Sequence, residues 1–175
     1  LPVSLFKKFN LHIVKINKII KILKSSGTSG SDPSKIFLDS FNSKNQRWVL
    51  SKIVESIIGK KRLPMLIVDQ DPKGVNRSTY NARIAAINGF SIFGKSVTYL
   101  LNKDNKVDFK KLNNFLNKFG NEKFLIFGFT NLIFKYFLES KLKILNSKNL
   151  KNGIIIHGGG WKKLENKSIS NKIFK

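Results

Sequence analysis

The residues with the clearest chemical potential lie in Lys24–Lys35, KSSGTSGSDPSK. Seven of the eight residues after Lys24 are Ser, Gly or Thr, and the eighth, Asp32, precedes Pro33. A segment of this composition has almost no apolar side chain to bury, but it exposes backbone N–H groups and hydroxyls. Gly27 and Gly30 permit positive φ and let the backbone come close to a ligand. Backbone amides oriented in this way form anion-binding concavities, and phosphate is the natural anion for one lined by hydroxyls. Lys35 closes the segment with a point charge on a flexible stem. The bland alternative is a Gly/Ser tether. Ile19-Ile20-Lys21-Ile22-Leu23 before the loop and Ile36-Phe37-Leu38 after it favour a loop pinned between two strands.

Two further Gly-containing turns follow. Phe127-Gly128-Phe129-Thr130 comes after a predicted strand and before an apolar helix, where an open α/β sheet keeps its ligand crevice. Thr130 also suits the N-cap of that helix. In Ile154–Lys163, three β-branched residues run into His157-Gly158-Gly159-Gly160-Trp161. Consecutive glycines at a strand end allow close backbone approach, and Trp161 suits the wall of an adenine or acyl pocket. A hydrogen-bonded structural role is the expectation for His157, and His12 has no visible partner. Asp69 and Asp71, after the buried strand Leu63–Asp69, can bind Mg²⁺ or a ribose. Pro72 and Gly74 instead favour a solvated turn.

Gly89-Phe-Ser-Ile-Phe-Gly94-Lys95-Ser96 matches G-x-x-x-x-G-K-[ST] as a string only. A phosphate-binding loop of that class needs a strand before it and a helix after it. Here a helical pattern precedes and VTYLL follows, so the reading is a helix end with Gly turns.

The set SSGTSG with Pro33-Ser34-Lys35-Ile36 resembles the phosphate signature Ser-Gly-Thr-Thr-Gly-x-Pro-Lys of the adenylate-forming enzymes. It is most similar to the variant in LuxE-type acyl-protein synthetases. LPVSLFK (Leu1–Lys7), FGFT (Phe127–Thr130) and IIIHGGGWKKL (Ile154–Leu164) resemble that family in the same order and span nearly the whole chain. The resemblance implies ATP and Mg²⁺ as cofactors, with a fatty acid or other carboxylate as substrate. The product would be acyl-AMP, and the acyl group would pass to a thiol of an acceptor protein, for which a reductase is one candidate. It assigns nucleotide binding to Ser25, Ser26, Gly27, Thr28, Ser29, Gly30, Lys35, Gly158, Gly159 and Gly160. Acyl-substrate contacts fall to Gly128, Phe129, Thr130 and Trp161. The family's Tyr-Gly-x-Thr-Glu motif, its C-terminal catalytic Lys and its acceptor Cys have no counterpart here. The expectation is therefore a partial large domain over residues 1–175, with the C-terminal domain absent and catalytic residues unassigned.

The elements around these motifs predict an α/β fold, with mostly parallel sheet layers and flanking helices. His12–Leu23 fits a strand or a basic amphipathic helix lying on a membrane. Asp39 or Ser40 caps a helix to Gly59 with Val49, Ile53 and Ile57 as its buried stripe, beside Trp48 and Ile58. Ser78 or Thr79 starts a helix carrying Ile84, Ala85, Ile87 and Phe90; Val97–Leu101 is a strand. Asp108 opens a helix packing Phe109, Leu112, Phe115, Leu116 and Phe119, ending at Gly120. Phe124–Phe127 is a strand, Leu132–Leu138 a helix and Ile154–Ile156 a strand.

The 33 basic and 10 acidic residues give a net charge of +23. That balance keeps a second reading open: a noncatalytic, Lys-rich nucleic-acid or anionic-surface binder. Against specific nucleic-acid recognition, only Arg47, Arg62, Arg77 and Arg83 are arginines, and the lysines are scattered through every segment. With no Cys, disulfides, thiolate metal sites and a thioester-forming nucleophile are excluded within this sequence. No apolar run reaches the roughly 18–20 residues of a membrane span, so the expected location is the cytoplasm.

Overall fold

The computed structural model describes residues 2–25, 32–73, 82–139 and 150–170. The chain divides into two compact units, Leu1–Lys61 with Pro72–Gly89 and Arg62–Asp71 with Phe90–Lys175.

The first unit is built on a β-hairpin. Helix α1 (Val3–Lys8) leads through bends and a 3-10 turn (Ile16–Lys18) into β1 (Ile19–Lys24). β1 pairs antiparallel with β2 (Lys35–Asp39), with Ile22 opposite Phe37 and Lys24 opposite Lys35. The strand reading of Ile19–Lys24 is thus correct, and the helical alternative over His12–Leu23 is not adopted. Its β-branched residues favour the pleated strand, and the hairpin partner supplies the backbone hydrogen bonds. His12 does have partners. Its Nδ1 lies 2.8 Å from the Val14 carbonyl, and its ring packs at 5.3 Å on Phe37.

Asp39 ends β2 and caps α2 (Ser40–Ile58), its carboxylate accepting from the Asn42 N–H at 2.8 Å. Gly59 stops the helix at φ 81°, its N–H donating to the Glu55 carbonyl at 2.8 Å. Both boundaries agree with the sequence reading, but the buried stripe does not. Val54 is 2% exposed, whereas Ile53 is 53% exposed, and Trp48, Val49 and Ile57 are exposed as well. Leu50, Val54 and Ile58 repeat at the same four-residue spacing one position on, and that stripe turns inward.

The second unit is a four-stranded, all-parallel sheet in the order β4-β3-β5-β6. Its strands are β3 (Leu63–Ile67), β4 (Gly94–Tyr99), β5 (Phe124–Phe129) and β6 (Gly153–Gly158). β3 is buried from Pro64 onward, as a strand covered on both faces must be. Pro64 cannot donate to the ladder. Opposite it β4 carries two residues, Lys95 and Ser96, between the paired Gly94 and Val97, and Ser96 sits at φ 111°. This bulge absorbs the proline.

One sheet face packs Leu66, Val68, Phe124 and Ile126 against Leu112, Phe115 and Leu116 of α4 (Phe109–Phe119) and against Ile133 and Phe137. Asp108 caps α4, accepting from the Lys111 N–H at 3.0 Å, while Phe109, expected on the packed side, is exposed. As the first helical residue, Phe109 lies one turn outside the buried triplet. On β5, Phe127 stacks at 4.0 Å on Phe90, which belongs to this unit and to the last turn of α3 (Ala82–Ser91). The expected start of α3 at Ser78 or Thr79 lies outside the described residues. α3 precedes Gly94 and β4 follows it, the reverse of the strand–loop–helix order that a Walker-type loop requires. Helix α5 (Thr130–Ile133) continues as a π-helical turn over Phe134–Glu139, starting two residues before the expected Leu132. The sheet and its flanking helices make this an α/β fold.

Candidate functional site

Two places gather the residues that the sequence singles out, one in each unit. In the first unit the hydroxyl-rich loop springs from the β1–β2 hairpin. Its neck is closed reciprocally: the Ser25 N–H donates to the Ser34 carbonyl at 3.0 Å, and the Ser34 N–H donates to Ser25 Oγ at 2.9 Å. The loop is therefore pinned at both ends by strands, as expected. Ser26, Gly27, Thr28, Ser29 and Gly30 lie outside the described residues. Lys35 begins β2 and donates from Nζ to Asn10 Oδ1 at 3.2 Å.

In the second unit, the carboxyl ends of the parallel strands converge. Chain order along the sheet reverses between β3 and β5, which is where open α/β sheets leave a crevice for ligands. Asp69 follows β3 and is only 3% exposed; its Oδ1 accepts from the Gln70 N–H at 2.8 Å. Gln70 Nε2 donates to the Asn102 and Lys103 carbonyls at 2.8 and 2.9 Å. The expected solvated turn is thus exposed at Asp71 and Lys73, while its first two residues are buried or anchored. At the end of β4, burial of the Tyr99 hydroxyl, and secondarily the Asp71 carboxylate, push its pKa above the ordinary 10.0.

β5 and β6 bring Gly128 opposite His157 and Phe129 opposite Gly158. Thr130 is buried and is the first residue of α5; the N-cap position belongs to Phe129. The Thr130 hydroxyl reaches across to β6 instead of capping its own helix. Oγ1 lies 3.1 Å from each of the Gly158 and Gly159 carbonyls and 3.0 Å from His157 Nδ1. A hydroxyl has one proton, and the two carbonyls can only accept. With the hydroxyl proton given to a carbonyl, the Thr130 oxygen can accept from His157 in its Nδ1–H tautomer. The hydrogen-bonded role expected for His157 is what its geometry gives.

The glycines of the two turns differ in what surrounds them. A Cβ on Gly128 would lie 3.0 Å from Val68 Cβ and 3.0 Å from Ile133 Cγ1, so the strand-to-helix packing itself demands glycine. Gly159 takes φ +81°, and a Cβ there would meet Phe129 Cδ1 at 3.1 Å. A Cβ on Gly158 would meet nothing within 4 Å, so this glycine borders open space. Gly160 is exposed. Trp161 is half-buried, its ring edge-on to Phe134 at 5.0 Å.

Sequence reasoning missed two groups here. Asp69 is buried although it lies two residues past the end of β3. Asn131, beside Thr130, has a buried Oδ1 without a hydrogen-bond partner among the described residues, and nothing in its sequence context marks it. No group of three or more His, Asp or Glu that could hold a metal occurs among the described residues, and no described helix is long and apolar enough to cross a membrane.

Comparison with curated proteins found no match, and comparison with solved structures found none. The model of the family described as acyl-protein synthetase, LuxE, matches residues 1–175, the full length of this sequence. The hairpin loop, the Phe127–Thr130 turn and the His157–Trp161 turn all fall within that match, and the chain belongs to the LuxE acyl-protein synthetase family.

Proposed function

We propose that the chain takes part in ATP-dependent activation of a fatty acid or other carboxylate as acyl-AMP, for transfer to a thiol of an acceptor protein. The observation that carries this reading is the hairpin neck at Ser25 and Ser34, which holds a loop of sequence SGTSGSDP between two paired strands. Such a loop offers N–H and hydroxyl donors to a polyphosphate, and family membership supplies the reaction class.

The chemistry asks for such a loop. A carboxylate is a poor electrophile until AMP becomes its leaving group. Forming acyl-AMP moves charge onto pyrophosphate, and preorganised donors aimed at that charge lower the barrier. In this reading Ser25, Ser26, Gly27, Thr28, Ser29, Gly30 and Lys35 contact the phosphates. Gly158, Gly159 and Gly160 contact the nucleotide, while Gly128, Phe129, Thr130 and Trp161 border the acyl substrate. Mg²⁺ would accompany ATP and neutralise charge on its phosphates.

The test is thermal unfolding of the chain with Mg-ATP, with a carboxylate added, and with a DNA oligonucleotide. Stabilisation by Mg-ATP that Thr28→Val with Lys35→Ala abolishes supports the assignment. Equal stabilisation of parent and variant removes the loop from the site. Stabilisation by the oligonucleotide alone favours a polyanion-binding role instead.

A further inference from the structure

The leading segment and hairpin of the first unit carry a feature that nucleotide chemistry does not use. β1 is inverted relative to a water-facing strand: Ile20 and Ile22 point outward, and Lys21 is half-buried. Ile20 is 63% exposed, Ile16 74% and Ile13 101%. Scattered exposed apolar residues are ordinary, but these and Ile22 all fall within residues 13–22. Side chains two apart on a strand share a face about 7 Å apart, so Ile22 and Lys24 form one row, and Ile20 is exposed at the register shift just before it. Phe37, the cross-strand neighbour of Ile22, holds the His12 ring at 5.3 Å, and Lys35, the neighbour of Lys24, bonds Asn10. Those two contacts tie the leading segment to β2, where Ile13 lines one cavity with Ile36 and Phe37.

The leading segment and β1 carry charge of one sign, while the one carboxylate of β2, Asp39 opposite Ile19, caps α2. Lys7, Lys8, Lys15, Lys18, Lys21 and Lys24 precede Asp32, the first acidic residue of the sequence. We infer that this face docks onto an anionic lipid surface, the isoleucines entering the headgroup boundary and the lysines meeting lipid phosphates. Nucleic acid is the weaker fit. Aliphatic side chains add nothing to a phosphate contact, and the first arginine of the sequence is Arg47.

Flotation of the full chain with vesicles tests this, using phosphatidylcholine alone and phosphatidylcholine with roughly 30% phosphatidylglycerol, at about 0.15 M salt. Binding is expected only to the anionic vesicles. Ile13→Asn with Ile20→Asn and Ile22→Asn should weaken it at least about tenfold with an unchanged urea midpoint. Lys15→Gln with Lys18→Gln and Lys24→Gln should weaken it similarly. The charge-matched set Lys110→Gln, Lys118→Gln and Lys123→Gln in the second unit should leave it intact. If the triple isoleucine variant unfolds, Ile13→Asn alone, at a fully exposed position, gives the answer. Undiminished binding by the isoleucine variants, or equal loss from both lysine sets, overturns the proposal. So does equal binding to neutral vesicles, or binding to a DNA oligonucleotide but to no vesicle.

Discussion

Thr130 and His157 are joined across neighbouring parallel strands, with Oγ1 3.0 Å from Nδ1, and the same hydroxyl is 3.1 Å from the Gly158 and Gly159 carbonyls. One buried side chain thus holds the start of the Gly-rich turn. Thr130→Val keeps the shape and removes the hydroxyl. It should cost about 1–3 kcal/mol, the usual penalty for unsatisfied partners, read as a lower urea midpoint with an unchanged slope. Thr130→Ser should restore most of it. Nitrogen-15 shifts of His157 should show the proton on Nδ1 in the parent protein and lose that preference in Thr130→Val.

The glycines of the second unit separate by substitution. Gly128→Ala places a methyl 3.0 Å from Val68 Cβ and Ile133 Cγ1, and Gly94→Ala places one 2.6 Å from Val97 Cγ2 and 3.0 Å from Met65 Cβ. Each should destabilise by about 1–3 kcal/mol, the cost of overpacking. Gly158→Ala has open space and should leave the midpoint within about 0.5 kcal/mol of the parent. A Gly158→Ala protein of normal stability with weakened Mg-ATP binding would place the nucleotide against that turn; unchanged binding would remove Gly158 from the site.

These results bear on what the sequence could and could not disclose. Local chemistry was legible. The Asp39 and Asp108 caps, the Gly59 stop and the apolar run of β3 are each read from a few adjacent residues. Facing was less legible. Val49, Ile53 and Ile57 repeat every four residues, and so do Leu50, Val54 and Ile58; periodicity finds both stripes of α2, but only packing decides which turns inward. Cross-strand relationships were least legible. Nothing near Thr130 says that its hydroxyl leaves its own helix, because that depends on the register that sets Gly128 against His157. The bulge at Lys95 and Ser96 likewise answers Pro64, some thirty residues earlier on another strand.

The two stripes of α2 give a direct test. Val54→Ala removes methyls from a site 2% exposed and should cost about 1.5–3 kcal/mol. Ile53→Ser, one residue away on the exposed side, should stay within about 0.5 kcal/mol. Urea unfolding of both variants checks the assignment, and a larger loss in Ile53→Ser would mean that the stripe read from the sequence is the buried one.

The last prediction concerns pH. Burial first, and the Asp71 carboxylate second, raise the Tyr99 pKa above 10.0. Both favour the neutral phenol in the folded chain, so the folded state holds its proton to higher pH than the unfolded state does. The stability from this difference is complete below the unfolded value and is lost as pH rises through the folded one. The many lysines also titrate in this range, so the informative quantity is a difference between variants. The urea midpoint of the parent should fall more steeply above about pH 10 than that of Tyr99→Phe, which has no phenol to ionise. Asp71→Asn should remove the smaller part of the effect and leave the part due to burial. Phenolate absorbance offers an independent reading. Of Tyr80, Tyr99 and Tyr136, the transition lost in Tyr99→Phe should lie above the ordinary tyrosine value. A transition at or below that value would show that Tyr99 is better solvated than its place at the end of β4 implies.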